Sequence, residues 1–135
     1  MTTADLNAPL AQQLGLTRGM RSWFCHMPDH LRDAIAPEAI GIEEQSTASD
    51  GMQAAVIFVT DRADLARKLQ ALRPLLQPKG FIWVAWPDRG DVETDITEDA
   101  VRDAAEPAGL LHEARLKLDD VWCGLKLVLH PAHRQ

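Results

Sequence analysis

Side chains that could hold a metal gather in one short stretch, Cys25-His26-Met27-Pro28-Asp29-His30. Cysteine, histidine and aspartate are metal ligands, and one helical turn would bring Asp29 or His30 near His26. Alternation along a strand, however, points Cys25 to the opposite face from His26, and Asp29 suits the cap of a following helix. We therefore predict no metal site here, and we treat His26 and His30 as candidates for ligand contact.

The two cysteines, Cys25 and Cys123, could act as nucleophiles. A reactive thiol needs an electropositive, partly exposed setting, and His26 is the only basic sequence neighbour of either residue. A disulfide would require their Cα atoms to lie within about 7 Å of each other. Each cysteine falls in a predicted strand, so we expect two reduced, buried thiols.

Three further residues are candidates for binding chemistry: Glu43, Trp86 and Asp88. Glu43, or its neighbour Glu44, ends a predicted strand, where nucleotide-binding sheets carry a carboxylate for the ribose. Trp86 ends the most apolar strand, and Asp88 lies in the loop that follows it. The Trp86 ring could stack on a ligand, or it could close the end of the sheet against Pro87.

Two apolar runs must position these residues, 54–59 and 80–87. Both are short, rich in β-branched or aromatic residues and bounded by breakers, which indicates strands buried on both faces. Such strands belong to parallel sheets with helices above and below. The sequence therefore predicts an α/β fold.

The remaining elements are read from periodicity and breakers. The predicted strands are 20–27, 39–44, 54–59 and 81–86, and 111–118 with 121–129 form an antiparallel hairpin around Asp119-Asp120. Four helices are predicted. The first spans 8–15 and the second runs from Pro28 to Pro37. The third begins near Arg62, with Leu65, Leu69, Leu72 and Leu76 on one face, and the fourth begins at a capping box at Asp95. Pro74 should kink or separate the last turn of the third helix.

Composition narrows the function classes. A chain of 135 residues is expected to be one domain, residues 1–135, with frayed tails at 1–7 and 130–135. A net charge of −6 opposes nucleic acid as a partner. Because no apolar run approaches the ~20 residues that span a bilayer and the first residues carry no signal pattern, we expect no membrane association and a cytoplasmic location.

The element order, β–α units followed by a hairpin, resembles that of class I S-adenosylmethionine-dependent methyltransferases. Gly19-Met20-Arg21 resembles the start of that family's first strand, and Leu76-Gln77-Pro78-Lys79-Gly80-Phe81 resembles its "L-x-P-G-G" approach to a later strand. The resemblance implies a Rossmann-like three-layer sandwich, with a mostly parallel sheet closed by a C-terminal antiparallel hairpin. One strand–helix unit is missing or shortened.

The chain is also similar to a bacterial family of short, uncharacterised proteins on this scaffold. The similar positions are Trp86-Pro87, Thr94-Asp95 and Trp122-Cys123-Gly124-Leu125. That family often carries a basic residue after the tryptophan–proline pair, where this chain has Asp88. A positive charge that could bind an anionic ligand is therefore missing.

Ligands of open parallel sheets lie beyond the carboxyl ends of the strands, where strand order reverses. A methyltransferase has glycines after its first strand, but this chain has His26-Met27-Pro28-Asp29-His30. The side chains of His26, Met27 and His30 should fill the cofactor's space, so we expect no bound S-adenosylmethionine. We expect a noncatalytic domain that binds a protein, a second copy or a small ligand; the alternative is a divergent small-molecule methyltransferase.

Overall fold

The computed structural model describes residues 9–88 and 92–130. The predicted tails, 1–7 and 130–135, lie outside this part of the chain except for His130, whose N–H donates to the carbonyl oxygen of Gly109 at 2.9 Å. The strands are β1 (Arg21–Cys25), β2 (Glu43–Glu44), β3 (Met52–Phe58), β4 (Leu76–Pro87), β5 (Leu110–Lys117) and β6 (Trp122–Leu129). The helices are α1 (Leu10–Leu14), α2 (Asp29–Ile35), α3 (Pro37–Ile40), α4 (Arg62–Leu72) and α5 (Glu98–Ala105). Two short 3₁₀ turns, Arg73–Leu75 and Glu106–Ala108, follow α4 and α5.

These strands form one open sheet in the order β2-β1-β3-β4-β6-β5. The first four strands are parallel, β6 runs antiparallel beside β4, and β5 pairs antiparallel with β6 and so runs in the same direction as the first four. Strand order reverses between β1 and β3, because the chain builds β2 on one side of β1 and β3 on the other. This confirms the predicted mixed α/β, methyltransferase-like fold.

Helices cover both faces of the sheet and define two apolar layers. On one face, α4 and α5 bury Leu65, Leu69 and Val101 against Ile57, Ile82, Trp86 and Leu125. On the other face, α1 and α2 bury Leu14, Leu31 and Ile35 against Phe24, Val56 and Trp83. The indole N–H of Trp83 donates to the carbonyl oxygen of Leu14 at 2.8 Å and fixes α1 on the sheet. Trp83 and Trp86 thus lie on opposite faces, as alternation predicts.

Two element boundaries differ from the sequence prediction, and a third is as predicted. Ala39 and Ile40 belong to helix α3, because Pro37 starts a new helical turn at its first position. Leu76 begins β4 instead of ending a helix, and it pairs with Met52. The predicted separation at Pro74 is confirmed, since Arg73–Leu75 forms its own 3₁₀ turn.

Two predicted helix caps are also wrong. The N-cap position of α2 is Pro28, and Asp29 lies within the first turn. The cap of α5 is Thr97, whose side-chain oxygen accepts from the N–H of Ala100 at 3.1 Å. Asp95 instead accepts from the N–H of Arg62 at 2.9 Å, at the start of α4. A capping pattern in sequence thus identifies the capping residue types but not which helix each one serves.

Candidate functional site at the carboxyl edge of the sheet

The carboxyl edge is formed by residues 26–30, 59–61 and 87–88, which follow β1, β3 and β4, and by the hairpin turn 118–122. The turn lies at this end because β6 runs antiparallel to β4 and pairs Trp122 with Pro87. The strand-order reversal between β1 and β3 opens here, which is where ligands of open α/β sheets bind.

The loop after β1 reverses direction at His26, which has φ 57°, in the left-handed region. Glycine adopts this conformation without cost, whereas a side chain there is strained by roughly 1 kcal/mol. The His26 side chain is exposed, and Met27 packs partly against the α1–α2 layer. A histidine therefore makes a left-handed turn after β1, where a methyltransferase has glycine, and its side chain is exposed to solvent.

His30 connects this loop to the hairpin turn. Its Nε2 lies 2.6 Å from Oδ2 of Asp119, with 64% of the His30 side chain and 24% of the Asp119 side chain exposed. The other Asp119 oxygen, Oδ1, accepts from the N–H groups of Val121 at 2.8 Å and Trp122 at 2.7 Å. Because Oδ1 is held by two backbone donors, Oδ2 is directed at His30.

Burial alone would raise the pKa of Asp119. The Trp122 N–H, the His30 ring and the Val121 N–H outweigh it and hold the pKa below its ordinary value. The carboxylate is therefore ionised at neutral pH, and its acceptor positions are directed at partners within the chain.

The hairpin turn is in turn fixed to the ends of β3 and β4. The Asp88 N–H donates to the carbonyl oxygen of Val121 at 2.7 Å, and the Leu118 N–H donates to that of Trp122 at 2.9 Å. The Trp122 ring meets Phe58 edge-to-face, with centroids 5.2 Å apart and an interplanar angle of 77°. These contacts hold the hairpin turn against the ends of β3 and β4, where it forms one side of the carboxyl edge.

Thr94 joins two loops beside this edge. Its hydroxyl donates to the carbonyl oxygen of Thr60 at 2.7 Å and accepts from the N–H of Ile96 at 3.0 Å. The carbonyl oxygen of Asp95 accepts from Arg62 Nε at 2.8 Å. The Thr94-Asp95 pair, which the sequence comparison singles out, ties the loop after β4 to the loop after β3.

The structure gathers three of the five candidate ligand contacts and separates two. His26, His30 and Asp88 lie at the carboxyl edge, and all three are exposed. Trp86 is 1% exposed and packs in the core beneath α4 and α5, so its ring does not reach the crevice. The end of β4 extends to Pro87, which leaves Trp86 one residue inside the sheet.

Glu43 lies away from the carboxyl edge. β2 pairs with the start of β1, with Glu43 opposite Arg21 and Glu44 opposite Ser22. β1 continues for three more residues, to Cys25, so at ~3.3 Å per residue β2 stops about 10 Å short of the carboxyl end of β1. Glu43 forms an ion pair with Arg21 at 3.1 Å, and Glu44 accepts two hydrogen bonds from Arg32. The Arg32 guanidinium lowers the pKa of Glu44, so both carboxylates have partners within the chain.

The predicted buried, unpaired thiols are confirmed, since Cys25 and Cys123 are free and buried. Burial raises the pKa of both thiols, and for Cys25 this outweighs the attraction of nearby Lys68. Within residues 9–88 and 92–130, no three histidine, cysteine or acidic side chains gather closely enough to hold a metal ion.

Two residues organise this edge, Asp119 and Trp122, and the sequence pattern indicates a hairpin turn for the first and a family resemblance for the second, but no role at the edge for either. The signal that could have found Asp119 is its residue type, because an aspartate in a turn commonly accepts hydrogen bonds from the backbone N–H groups two and three residues later. A recess at the edge, lined by Asp88, Lys117 and the hairpin turn, has a volume of only about 10 Å³. Larger cavities lined by described residues lie elsewhere, one between α5 and β5 and one beside the α2–α3 corner.

A family model for DUF3052, a protein family of unknown function, matches residues 11–131. The chain belongs to the DUF3052 family. The positions that resemble a family of short uncharacterised proteins, Trp86-Pro87, Thr94-Asp95 and Trp122–Leu125, all lie within the match. No curated protein matches this DUF3052 chain.

Solved structures similar to this chain include LepI and several methyltransferases. LepI in complex with SAM superposes with a TM-score of 0.57 at 15% identity, over 96% of this chain and 49% of that one. A TehB-like SAM-dependent methyltransferase from Corynebacterium glutamicum gives 0.57 at 10%, covering 91% and 88%. Magnesium protoporphyrin IX methyltransferase from Synechocystis PCC 6803 with bound SAH gives 0.58 at 6%, covering 89% and 79%.

These likenesses show the class I methyltransferase fold. The chain spans about half the length of the LepI chains that it matches. Among the described residues, no helix is both long and apolar enough to cross a membrane.

Proposed function

We propose that this DUF3052 protein is a noncatalytic methyltransferase-like domain that acts by binding a protein or a small ligand, without S-adenosylmethionine. The observation that carries the proposal is the His30–Asp119 contact at 2.6 Å, which joins the β1–α2 loop to the hairpin turn across the carboxyl edge. A loop that must embrace a nucleoside needs free backbone and open space. Here the loop is tied down by its own side chain.

The acidic residues support the same proposal. A nucleoside cofactor needs a carboxylate free to accept from its ribose hydroxyls. Glu43 pairs with Arg21, Glu44 pairs with Arg32, and both lie near the start of β1. A ribose beyond the end of β1 would find neither carboxylate within hydrogen-bond distance.

Calorimetric titration of the full chain with S-adenosylmethionine and with S-adenosylhomocysteine tests the proposal. We expect no saturable heat up to 1 mM of either compound, whereas a TehB-like methyltransferase titrated in parallel should bind. Binding with a micromolar Kd, about −8 kcal/mol, would overturn the noncatalytic proposal.

A divergent small-molecule methyltransferase is the second candidate, and the conformation of His26 favours it. With φ 57°, His26 already makes the turn that a glycine would make after β1. The distinguishing experiment is the same titration on His30→Ala, which removes the contact across the edge. Micromolar binding by wild type and variant alike supports the enzyme; no binding by either removes it.

We further propose the cytoplasm as its compartment, because its two cysteines are buried and unpaired, as is usual in a reducing environment. Nucleic acid is an unsuitable partner for a chain of net charge −6. A homodimer is a further proposal, and sedimentation at several concentrations tests it: a monomer throughout would exclude it.

A further inference from the structure

The strand β5 forms one edge of the sheet, and its two halves differ. No described strand pairs with its outer side, so a row of backbone N–H and C=O groups is open there. Three features protect the second half from pairing with another strand. They are a register shift between His112 and Ala114, the exposed Lys117, and the Arg115–Glu98 ion pair at 2.7 Å. Bulges and charges of this kind block strand addition.

The first half, Leu110–His112, carries no such protection. Its pairing with β6 is regular, and Leu111 is 43% exposed, which is unusual for a leucine of this chain. A regular edge with an exposed apolar side chain is the arrangement that favours pairing with another strand.

A groove of about 560 Å³ runs beside this half-strand. It lies between β5 and the end of α5, with Ala105 and Leu110 as its buried floor and Arg102, Glu106 and His112 at its rim. Helix α5 runs antiparallel to β5, since Glu98 at its start meets Arg115 near the end of the strand. An edge strand flanked by a helix is the geometry in which extended peptides add as a further strand.

The charges at the rim select the kind of peptide. Arg102 is paired with Glu98 and Asp99, whereas no described basic side chain pairs with Glu106. A lysine or arginine on the incoming peptide would therefore meet a carboxylate that forms no ion pair with the described part of the chain.

A second copy of the chain fits less well. Antiparallel self-pairing centred on Leu111 would match only 110–112, because the Glu106–Ala108 helical turn precedes β5 in both copies. Self-pairing further along meets the register shift and the charged half. A separate extended segment also pairs only with 110–112 of this chain, but it carries no helical turn, register shift or charged half of its own.

We propose that the Leu110–His112 edge and the α5–β5 groove bind an extended peptide segment of a partner protein by strand addition. The segment carries an apolar side chain toward the groove floor and a basic residue beside Glu106. This proposal does not depend on whether the carboxyl edge binds a cofactor, because the two surfaces share no residue.

The test starts from a displayed library of linear eight-residue peptides, selected on the full chain and counter-selected on Leu111→Lys. The most enriched peptide is labelled with fluorescein and its binding measured by anisotropy. We expect a micromolar Kd, at least a 10-fold weakening with Leu111→Lys, and loss of binding when alternate peptide amides are N-methylated. Val92→Lys, at another exposed apolar residue, should change Kd less than 2-fold.

Charge reversal at the rim gives an independent readout. Selection on Glu106→Lys should replace basic residues in the enriched peptides by acidic ones, whereas Asp103→Lys, an equal charge change outside the groove lining, should leave the basic preference intact. Circular dichroism establishes that each variant is folded.

Three results would overturn the proposal. One is the absence of any peptide enriched over the counter-selection. Another is binding that survives both N-methylation and Leu111→Lys. The third is a dimer in sedimentation that Leu111→Lys dissociates, which would make a second copy the occupant.

Discussion

The carboxyl edge and the α5–β5 groove are opposite in character. At the carboxyl edge, Asp119 has three partners within the chain and Trp122 packs on Phe58. The recess that described residues line between Asp88, Lys117 and the hairpin turn has a volume of about 10 Å³. At the groove, about 560 Å³ lies beside an unpaired strand edge, with Leu111 exposed. Fold analogy points to the first region for function, whereas the unsatisfied groups of this particular chain point to the second.

The comparison teaches that a shared fold locates where ligands can bind, and that the side chains decide whether that place is open. Residues at the carboxyl edge should therefore affect stability, and residues at the groove should not. The variants below test this division.

The largest effect is expected for Trp122→Ala. Removing the ring that meets Phe58 and anchors the hairpin turn should lower the free energy of unfolding by about 2 to 3 kcal/mol. Leu111→Ala, which removes an exposed side chain at the groove, should change it by less than about 0.5 kcal/mol. Urea denaturation monitored by circular dichroism measures both, and equal losses would remove the distinction between the regions.

Gly124→Ala should be the next most damaging. A Cβ at this position would lie 2.9 Å from Leu118 Cδ1 and 3.1 Å from Trp83 Cε3, so the turn would be pushed off the sheet at a cost of about 1 to 2 kcal/mol. Leu118 can be shortened to make room, whereas Trp83 is held by Leu14. A double-mutant cycle with Leu118→Ala should show coupling between the two sites. Strict additivity would mean that the hairpin end is loosely packed.

Asp119→Asn should lower stability at neutral pH by about 1 kcal/mol, since the amide keeps an acceptor for the turn but loses the charge opposite His30. Because the folded-state pKa of Asp119 is depressed, the carboxylate's contribution is complete above an ordinary aspartate pKa of about 3.9 and is lost as pH falls through the lower folded value. Urea midpoints from pH 2 to 7 should therefore rise less steeply with pH in the variant.

The control is Asp120→Asn, the exposed neighbour in the same turn, which has no partner among the described residues. It should leave both the neutral-pH stability and the acid slope within error of wild type. If the two variants behave alike, the His30–Asp119 contact does not tie the loop down.

The smallest effect is expected for His26→Gly. Glycine removes the strain of the left-handed backbone at this position in the folded state, and it also increases the conformational entropy of the unfolded chain. We expect the first effect to be larger, so the free energy of unfolding should rise by up to about 1 kcal/mol. Ala36→Gly, at φ 50° between α2 and α3, should gain a similar amount and calibrates the backbone effect. A loss with His26→Gly but not with Ala36→Gly would show that the His26 side chain has a role at the edge, and thermal denaturation resolves the difference.

The sequence by itself determined the α/β class, the hairpin and which strands are buried, because these follow from local periodicity and breakers. The structure confirms the strands predicted from the runs 54–59 and 80–87. It also confirms the strand predicted from the alternation of Cys123, Leu125 and Leu127, and the break in the helix at Pro74.

Only the tertiary structure decided the site. Glu43 begins a strand that is only two residues long and that pairs with the start of β1, and Trp86 lies one residue inside β4. Both side chains therefore lie away from the edge where the sequence pattern predicts them. Asp119 meets His30 across 89 residues of chain, and Asp95 caps a helix 33 residues before it. Register and strand length depend on pairing between distant segments, and a one-residue change in either moves a side chain to another face or another level of the sheet.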